Sequence, residues 1–342
     1  MNHIPYFILL FMMQTPLWGQ QTKNLQEQIK LILQFDTEID FIDEEGIWCS
    51  IIDEDSTYFL QIGNLPLDSI TSMNIGSLTK VVTYDLVQST LDKNNISIKS
   101  SVTDFIDLSE AYRDISIEDL LNHTSGLPKK PYFFGRYNSE PLNPYKNFTK
   151  KDLIQNLVKH QSMYKSSSKF LYSHLNYAIL ELILEKINKE SFSEIILHSE
   201  YRSYLNLDPV DSTLIIGHNK VDQAMLRWEF PSFAASEGIF ANIYDYTNLV
   251  RRYLTLYQPN EIQNKLNKDL TFAAPWFIFR EKKNQDIIVM TGNGSGHSVF
   301  VGFVPESKKA IVLFRNSAKS PQNLGFYILN MITKNRTSQV VK

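Results

Sequence analysis

Ser77 and Lys80 form a Ser-x-x-Lys motif, a spacing that suits nucleophilic catalysis. In a helix this spacing places the hydroxyl and the amine on one face, within reach of each other. A serine hydroxyl needs a nearby base to take its proton, and a lysine can be that base when burial or a neighbouring positive charge lowers its pKa. The spacing recurs at Ser162 to Lys165 and at Ser166 to Lys169, so the surrounding sequence must decide which copy is functional.

The context of the three copies differs. The two later copies lie in a polar stretch, SMYKSSSK, that is typical of a solvated loop. The segment NIGSLTKVVTYDLVQSTLDKNNISIKSSVTDFI, which contains Ser77, resembles the nucleophile region of class C β-lactamases and of the related D-Ala-D-Ala peptidases and esterases. At 115–128, ISIEDLLNHTSGLP is similar to the LLxHTSGLP block of the same serine β-lactamase and penicillin-binding-protein-like superfamily. A match this long and unusual predicts membership of that superfamily.

A third block, KFLYSHLNYAILELILEKI at 169–187, is similar to the family's F-x-Y-S-N-x-x-Y run. The tyrosine of that run carries a proton between nucleophile and leaving group, so the resemblance implies that Tyr172 is the catalytic tyrosine. His174 stands where the family has asparagine.

The fourth block, MTGNGSGHSVFVGFVPE at 290–306, resembles the family's K-T-G-x-x-G-G-F strand, which walls the cleft. Thr291 and Gly292 match this pattern, and Met290 takes the place of its lysine or histidine. The resemblance implies that the backbone N–H groups of Asn293 and Ser77 bind the oxyanion. The segment 235–254 also looks like a family block that lines the same cleft.

The two departures bear on the substrate. A lysine or histidine at position 290 would hold a substrate carboxylate, which Met290 cannot do. We therefore expect a neutral ester or amide substrate rather than a penicillin or a D-Ala terminus. His174 has two interpretations: a protonated side chain that restores charge as the pH falls through about 6.5, or a neutral replacement for asparagine, which we prefer. We also interpret His297 as a packing residue and Glu237 as a solvated or hydrogen-bonded loop carboxylate, rather than as catalytic bases.

The periodicity of the remaining sequence predicts the elements that carry these residues. Helical spacing covers 22–35, 77–91 and 177–187, and strand patterns appear in GIWCSII, TYFLQIG, WFIFRE, DIIVMTG, SVFVGFVP and KAIVLFRNS, followed by a helical NLGFYILNMI. This order predicts an α+β fold, in which an antiparallel sheet is flanked by N- and C-terminal helices and carries a large inserted α-rich lobe. The sheet lobe would comprise 21–76 and 271–335, and the helical lobe 77–270.

Composition limits the possible functions. The 342 residues carry a net charge of -3 without a long basic stripe, which argues against a nucleic-acid partner. The apolar run IPYFILLFMM predicts a signal peptide at 1–20, leaving a single domain at 21–335 with no transmembrane span and export to the periplasm or the medium. No metal-ligand spacing occurs, and neither a metal nor a cofactor is expected.

The sequence thus predicts an exported serine hydrolase that forms an acyl-enzyme on Ser77 and acts on a small or peptide-like ester or amide. Two alternatives remain open at this point. One is a catalytically degenerate binding protein on the same fold, because fold does not fix function. The other is a true β-lactamase or D-Ala-D-Ala carboxypeptidase, which Met290 disfavours.

Overall fold

The computed structural model describes residues 10–11, 27–29, 44–63, 65, 70–137, 142–161, 169–280 and 285–334. Within this part of the chain, nine strands form one antiparallel sheet: β1 (Leu10–Phe11), β2 (Gly46–Asp53), β3 (Ser56–Gly63), β8 (Asn264–Lys265), β9 (Leu270–Ala273), β10 (Trp276–Arg280), β11 (Asp286–Gly294), β12 (His297–Val304) and β13 (Lys309–Arg315). Their spatial order is β1-β3-β2-β13-β12-β11-β10-β9-β8, so that the first and last parts of the chain meet in the middle of the sheet, where β2 pairs with β13.

Eight helices accompany the sheet in the described residues: α1 (Thr79–Asn94), α2 (Ile117–Asn122), α3 (Lys150–Lys159), α4 (His174–Asn188), α5 (Phe192–His198), α6 (Ala234–Glu237), α7 (Ile243–Leu256) and α8 (Gln322–Lys334). Side-chain caps fix several helix starts. The side chains of Ser116, Thr149 and Ser191 each accept a hydrogen bond from a backbone N–H of the first turn. In each case the acidic side chain three residues later accepts the backbone N–H of the cap residue. Helices α1 to α7 separate β3 from β9 and form the lobe that faces the sheet.

Strand β13 shows how the sheet joins two cores. Ala310, Val312 and Phe314 pack with the helical lobe, whereas Ile311 and Leu313 pack with the C-terminal helix α8. This alternation follows from the period of two of a β-strand and explains why the whole strand is apolar. A sheet covered on both faces gives a rigid wall for a cleft at the junction with the helical lobe.

A short two-stranded ladder holds the chain on either side of the junction. β4 (Met73–Asn74) pairs with β7 (Phe240–Ala241), which joins the segment before Ser77 to the segment after α6. A second ladder of two strands, β5 (Gly217–His218) and β6 (Ala224–Met225), lies between them in the sequence. Asn74 is fully buried, and its side-chain amide donates to the carbonyl oxygens of Glu237 and Ile239 at 2.9 and 3.2 Å. Residues far apart in sequence are thereby fixed side by side at the cleft.

The α+β architecture with an inserted helical lobe is confirmed, as are the strands predicted at both ends and the C-terminal helix. The sheet also includes β8, which lies before the predicted lobe boundary at 270. Of the predicted N-terminal helix the structure describes Glu27, Gln28 and Ile29, which are helical, and the rest lies outside the described residues. The predicted signal peptide also lies outside the described residues, except for the two residues of β1. Ser162, Lys165 and Ser166 of the two later motif copies lie outside them as well. No helix among the described residues is long and apolar enough to cross a membrane.

Candidate active site

Ser77 lies in a single 3-10 turn, Gly76–Leu78, that leads directly into α1. The turn is held from both sides: the backbone N–H of Ile75 donates to Ile239 O at 3.0 Å, and that of Gly76 donates to the Asn74 side chain at 3.1 Å. The hydroxyl-bearing residue itself remains partly exposed in the cleft. The nucleophile is therefore fixed by its backbone and open to a substrate.

Lys80 lies one helical turn after Ser77, as the motif predicts, and is fully buried. Its Nζ donates to Ser77 Oγ at 3.1 Å and to the backbone carbonyl of Ser236 at 2.8 Å. Burial lowers the pKa of Lys80 to about 7, the carboxylate of Glu237 opposes that shift, and Lys129 adds to it. A large fraction of Lys80 is therefore a neutral amine near pH 7, which can accept the proton of Ser77.

Tyr172 is positioned by the HTSGLP block. His123 ends α2 in a left-handed conformation, with φ of 57°, and its Nδ1 and carbonyl oxygen accept the backbone N–H groups of Ser173 and Leu171 at 3.1 and 2.7 Å. The Tyr172 ring lies 4.4 Å from the His123 ring. Burial raises the pKa of Tyr172, an effect that the Ser77 side chain opposes and that Glu237 reinforces. The phenol is therefore protonated at neutral pH and can donate a proton.

Strand β11 supplies the other wall of the cleft at close backbone range. A Cβ on Gly292 would lie 1.9 Å from Ile75 O, and a Cβ on Gly76, whose φ is +52°, would lie 2.5 Å from Asn293 N. This approach is possible only because both positions are glycine. It brings the amide of Asn293 next to the nucleophile turn, where the resemblance places the oxyanion site.

His174 and Glu237 form a buried pair beside Lys80. The Nδ1 of His174 lies 2.8 Å from Glu237 Oε1 and 3.4 Å from Lys80 Nζ, and the other oxygen of Glu237 accepts the Tyr145 hydroxyl. Burial and the adjacent Lys80 lower the pKa of His174 to about 4, against the opposing effect of Glu237. Burial alone would raise the pKa of Glu237, but contacts with His174, Lys80 and Tyr145 lower it. The pair is a neutral histidine that donates to an ionised carboxylate.

These observations decide between the alternatives that the sequence left open for His174 and Glu237. The protonated form of His174, one of two possibilities, does not suit its buried environment, and the neutral form that we preferred does. Of the two forms expected for Glu237, the structure shows the hydrogen-bonded one: it ends the helix α6, rather than lying in a loop, with 5% exposure and both oxygens engaged. His297 lies away from Ser77: it is buried, and its Nε2 contacts the carbonyl of Ile215 at 3.0 Å.

The cleft between the two lobes has a volume of about 410 Å³. It brings together predicted site residues from three separate sequence blocks; Lys80 and Gly292 are not part of its lining, and Lys80 contacts it through Ser77. The described residues that line it are Ser77, Lys129, Lys130, Tyr145, Tyr172, His174, Trp228, Glu237, Phe277, Met290, Thr291 and Asn293. Met290 is 2% exposed and adds an apolar surface to the β11 wall.

A family model described as Beta-lactamase matches residues 46–327, which include every residue of the cleft. The chain belongs to the β-lactamase family. This confirms the membership predicted from the sequence blocks and supports a serine hydrolase of the β-lactamase and penicillin-binding type.

Solved structures of this β-lactamase family share its fold at low sequence identity. A class C beta-lactamase superposes with a TM-score of 0.74 at 15% identity, covering 96% of this chain and 99% of that one. The octameric penicillin-binding protein homologue from Pyrococcus abyssi gives 0.72 at 17% identity, covering 93% and 77%. A Beta-Lactamase/D-Alanine Carboxypeptidase from Pseudomonas syringae gives 0.71 at 15% identity, covering 94% and 100%.

Curated relatives are distant. Protein flp of Staphylococcus aureus strain COL is 21% identical over 333 residues, which cover 86% of this chain. The alignment spans 64% of the length of that relative. An N-acetylmuramyl-L-alanine amidase of Bacillus subtilis strain 168 is 27% identical over 126 residues, covering 34% of this chain and 28% of the amidase.

Several residues of this β-lactamase-family cleft escaped the sequence analysis. Lys129, Lys130, Tyr145 and Trp228 line it without belonging to a recognised motif. For the two lysines a signal was present, because they directly follow the HTSGLP block, which in the structure holds the segment of Tyr172. Tyr145 and Trp228 reach the cleft from long loops, and no sequence pattern indicates that.

A second cavity, of about 360 Å³, lies between α1, α7 and the β9–β10 hairpin. Its lining includes Asp85, which accepts the Tyr201 hydroxyl at 2.8 Å, and an Arg252–Glu200 ion pair. None of the predicted site residues lines it. The cleft at Ser77 is therefore where the predicted nucleophile and its predicted proton carriers converge.

Proposed function

We propose that this protein is an exported serine hydrolase that cleaves an ester or amide by way of an acyl-enzyme on Ser77. The observation that carries the proposal is the contact of 3.1 Å between Ser77 Oγ and the amine of the fully buried Lys80, whose pKa is about 7. Nucleophile and base are thus in contact, and the base is poised for proton transfer near neutral pH.

In the acylation step, neutral Lys80 takes the hydroxyl proton while Ser77 Oγ bonds to the substrate carbonyl carbon. The displaced electron pair moves to the carbonyl oxygen, where the N–H groups of Ser77 and Asn293 hold it. When the carbonyl re-forms, the bond to the leaving oxygen or nitrogen breaks. That atom takes the Tyr172 proton, and the ammonium of Lys80 restores the phenol, which leaves acylated Ser77 and a neutral Lys80.

Deacylation reverses these roles with water. Lys80 accepts a proton from the water that attacks the acyl carbon, the bond to Ser77 Oγ breaks, and the proton returns to Oγ. His174 and Glu237 keep a fixed negative charge beside the amine throughout, which stabilises the ammonium whenever it forms. Each cycle therefore ends with the starting protonation states.

Because Met290 and the neutral His174 carry no positive charge, we expect substrates that place no carboxylate against the β11 wall. Among the described residues of that wall, Met290, Thr291 and Asn293 carry no charge, so a penicillin carboxylate would be desolvated there without a partner. A β-lactamase or D-Ala-D-Ala carboxypeptidase activity would need such a partner. The missing positive charge at position 290 is also compatible with the alternative that the protein binds a ligand without cleaving it.

Intact-protein mass spectrometry distinguishes these functions. Wild type and Ser77→Ala are exposed briefly to an activated neutral ester and, separately, to a penicillin. We expect an acyl adduct with the ester that is absent from Ser77→Ala, and little or no adduct with the penicillin. Rapid acylation by the penicillin would favour the β-lactamase or carboxypeptidase alternative, and no adduct or turnover with either compound would favour the binding protein.

Export is proposed on the apolar run at 4–13. Mass spectrometry of the protein recovered from outside the cytoplasm is expected to show that about the first twenty residues have been removed. The substitution Leu9→Arg interrupts the apolar run and is expected to keep the protein unprocessed in the cell. Recovery of full-length protein with residues 10–11 still in place, paired with β3, would contradict this part of the proposal.

A further inference from the structure

Lys129 and Lys130 bring two positive charges to the helical-lobe wall of the cleft. The carbonyl oxygen of Lys129 accepts the backbone N–H groups of His174 and Leu175 at 2.9 and 3.2 Å, which ties this pair of lysines to the start of α4. Lys129 is exposed, and Lys130 is half-buried. Both line the same cavity as Ser77.

The aromatic neighbours of Lys130 hold its side chain in place. Its Nζ lies 4.4 Å from the ring centroid of Tyr145 and 4.9 Å from that of Phe134. Cation–π contacts of this kind stabilise an ammonium without neutralising its charge. Lys130 is therefore a positioned cation rather than a side chain that moves freely in solvent.

Neither lysine has an ion-pair partner among the residues that the structure describes, where no carboxylate oxygen lies within 4.0 Å of either Nζ. Glu237 is the single carboxylate in the described lining of the cleft, and its two oxygens are engaged by His174 and Tyr145. Burial lowers the pKa of Lys130, Glu237 opposes that shift, and Lys129 adds to it by repulsion. A bound anion would relieve this repulsion.

The β11 wall on the opposite side of the cleft is uncharged, so the two lysine charges lie on the helical-lobe side only. Met290 removes the positive charge that its family position would carry, whereas Lys129 and Lys130 supply charge on the helical lobe. We propose that Lys129 and Lys130 form an anion subsite that holds a carboxylate of the substrate against the helical-lobe wall while its ester or amide carbonyl lies at Ser77. This inference rests on the proposed function and specifies its substrate class.

The test compares substrates that differ in charge at constant reactivity. One pair is the para-nitrophenyl monoester of adipic acid and para-nitrophenyl heptanoate, whose acyl chains carry a carboxylate and an ethyl group, respectively, at the same position. A second pair, meta-acetoxybenzoate and meta-acetoxybenzamide, places the anion or a neutral amide on the leaving group. Background hydrolysis is subtracted with Ser77→Ala.

We expect kcat/KM for the anionic member of at least one pair to exceed that of the neutral member by about tenfold or more at low salt, and the ratio to decrease as ionic strength rises. The double variant Lys129→Met with Lys130→Met is expected to bring the ratio close to one. Lys146→Met is the matched control, since Lys146 is an exposed lysine paired with Glu229 at 3.7 Å outside the cleft, and it should keep the ratio of the wild type.

Calorimetric titration of Ser77→Ala with adipate separates this inference from the catalytic proposal. Adipate binding that is lost in the double-lysine background supports the subsite even if no ester is turned over. Ester turnover with equal kcat/KM for both members of both pairs would overturn the subsite and leave the hydrolase intact. A charge preference that persists without both lysines would also overturn it.

Discussion

Replacing Glu237 with glutamine should move the pH dependence of the reaction to lower pH. Its Oε1 lies 2.8 Å from His174 Nδ1, which lies 3.4 Å from Lys80 Nζ, so carboxylate and amine are at most about 6 Å apart. The carboxylate favours the ammonium form, and therefore raises the pKa of Lys80 against the larger effect of burial. Glutamine removes the charge and keeps one oxygen, which can accept from His174 or Tyr145, while its NH2 group takes the place of the other oxygen.

The magnitude follows from Coulomb's law. At an effective dielectric constant of about 20, unit charges about 6 Å apart interact by about 3 kcal/mol, equivalent to about two pKa units. Water and salt in the open cleft reduce this value, and we expect a shift of at least about one unit. The midpoint at which kcat/KM rises with pH should therefore move from about 7 to about 6 or below.

The assay measures kcat/KM for para-nitrophenyl butyrate from about pH 4 to about pH 9. The midpoint of the rising limb of this profile gives the pKa of the base in the free enzyme. Glu229→Gln serves as the control, because it removes the same charge from an exposed position outside the cleft. A midpoint that stays at its wild-type value in Glu237→Gln, or that moves to higher pH, would refute the assignment of Lys80 as the base under the influence of Glu237.

Three further changes test other parts of the site. Gly292→Ala should abolish acylation or folding, because its Cβ would meet Ile75 O at 1.9 Å, whereas Gly135→Ala, which has no neighbour within 4 Å, should leave acylation rate and melting temperature near wild type. Met290→Lys should increase the rate of acylation by a penicillin about tenfold or more, measured by intact mass, since it restores a cation at the β11 wall. His123→Ala should lower kcat by about tenfold or more with a smaller change in KM, because the loop that carries the catalytic tyrosine loses its side-chain acceptor; an unchanged kcat would contradict that role.

Much of the fold was predictable because its determinants are local. The faces of β13 alternate with a period of two, and the helical spacing predicted at 77–91 and 177–187 corresponds to α1 and α4. The cleft residues of the family blocks were found by their motifs. The sequence motifs did not identify Lys129, Lys130 and Tyr145. These residues belong to the cleft because of their position relative to segments that are distant in the sequence.

The sequence by itself predicted Ser77 and Lys80 as nucleophile and base: the spacing i, i+3 places them one turn apart, which is a local property, and the family blocks single out this copy of the motif. It also determined the neutral β11 wall, since Met290 has no charge in any environment. The tertiary structure alone decided the protonation states. Burial lowers the pKa of Lys80 to about 7, and burial together with the adjacent Lys80 lowers the pKa of His174 to about 4, against the opposing effect of Glu237 in both cases. Electrostatic free energy depends on distance and solvation in space, and neither is encoded by sequence separation.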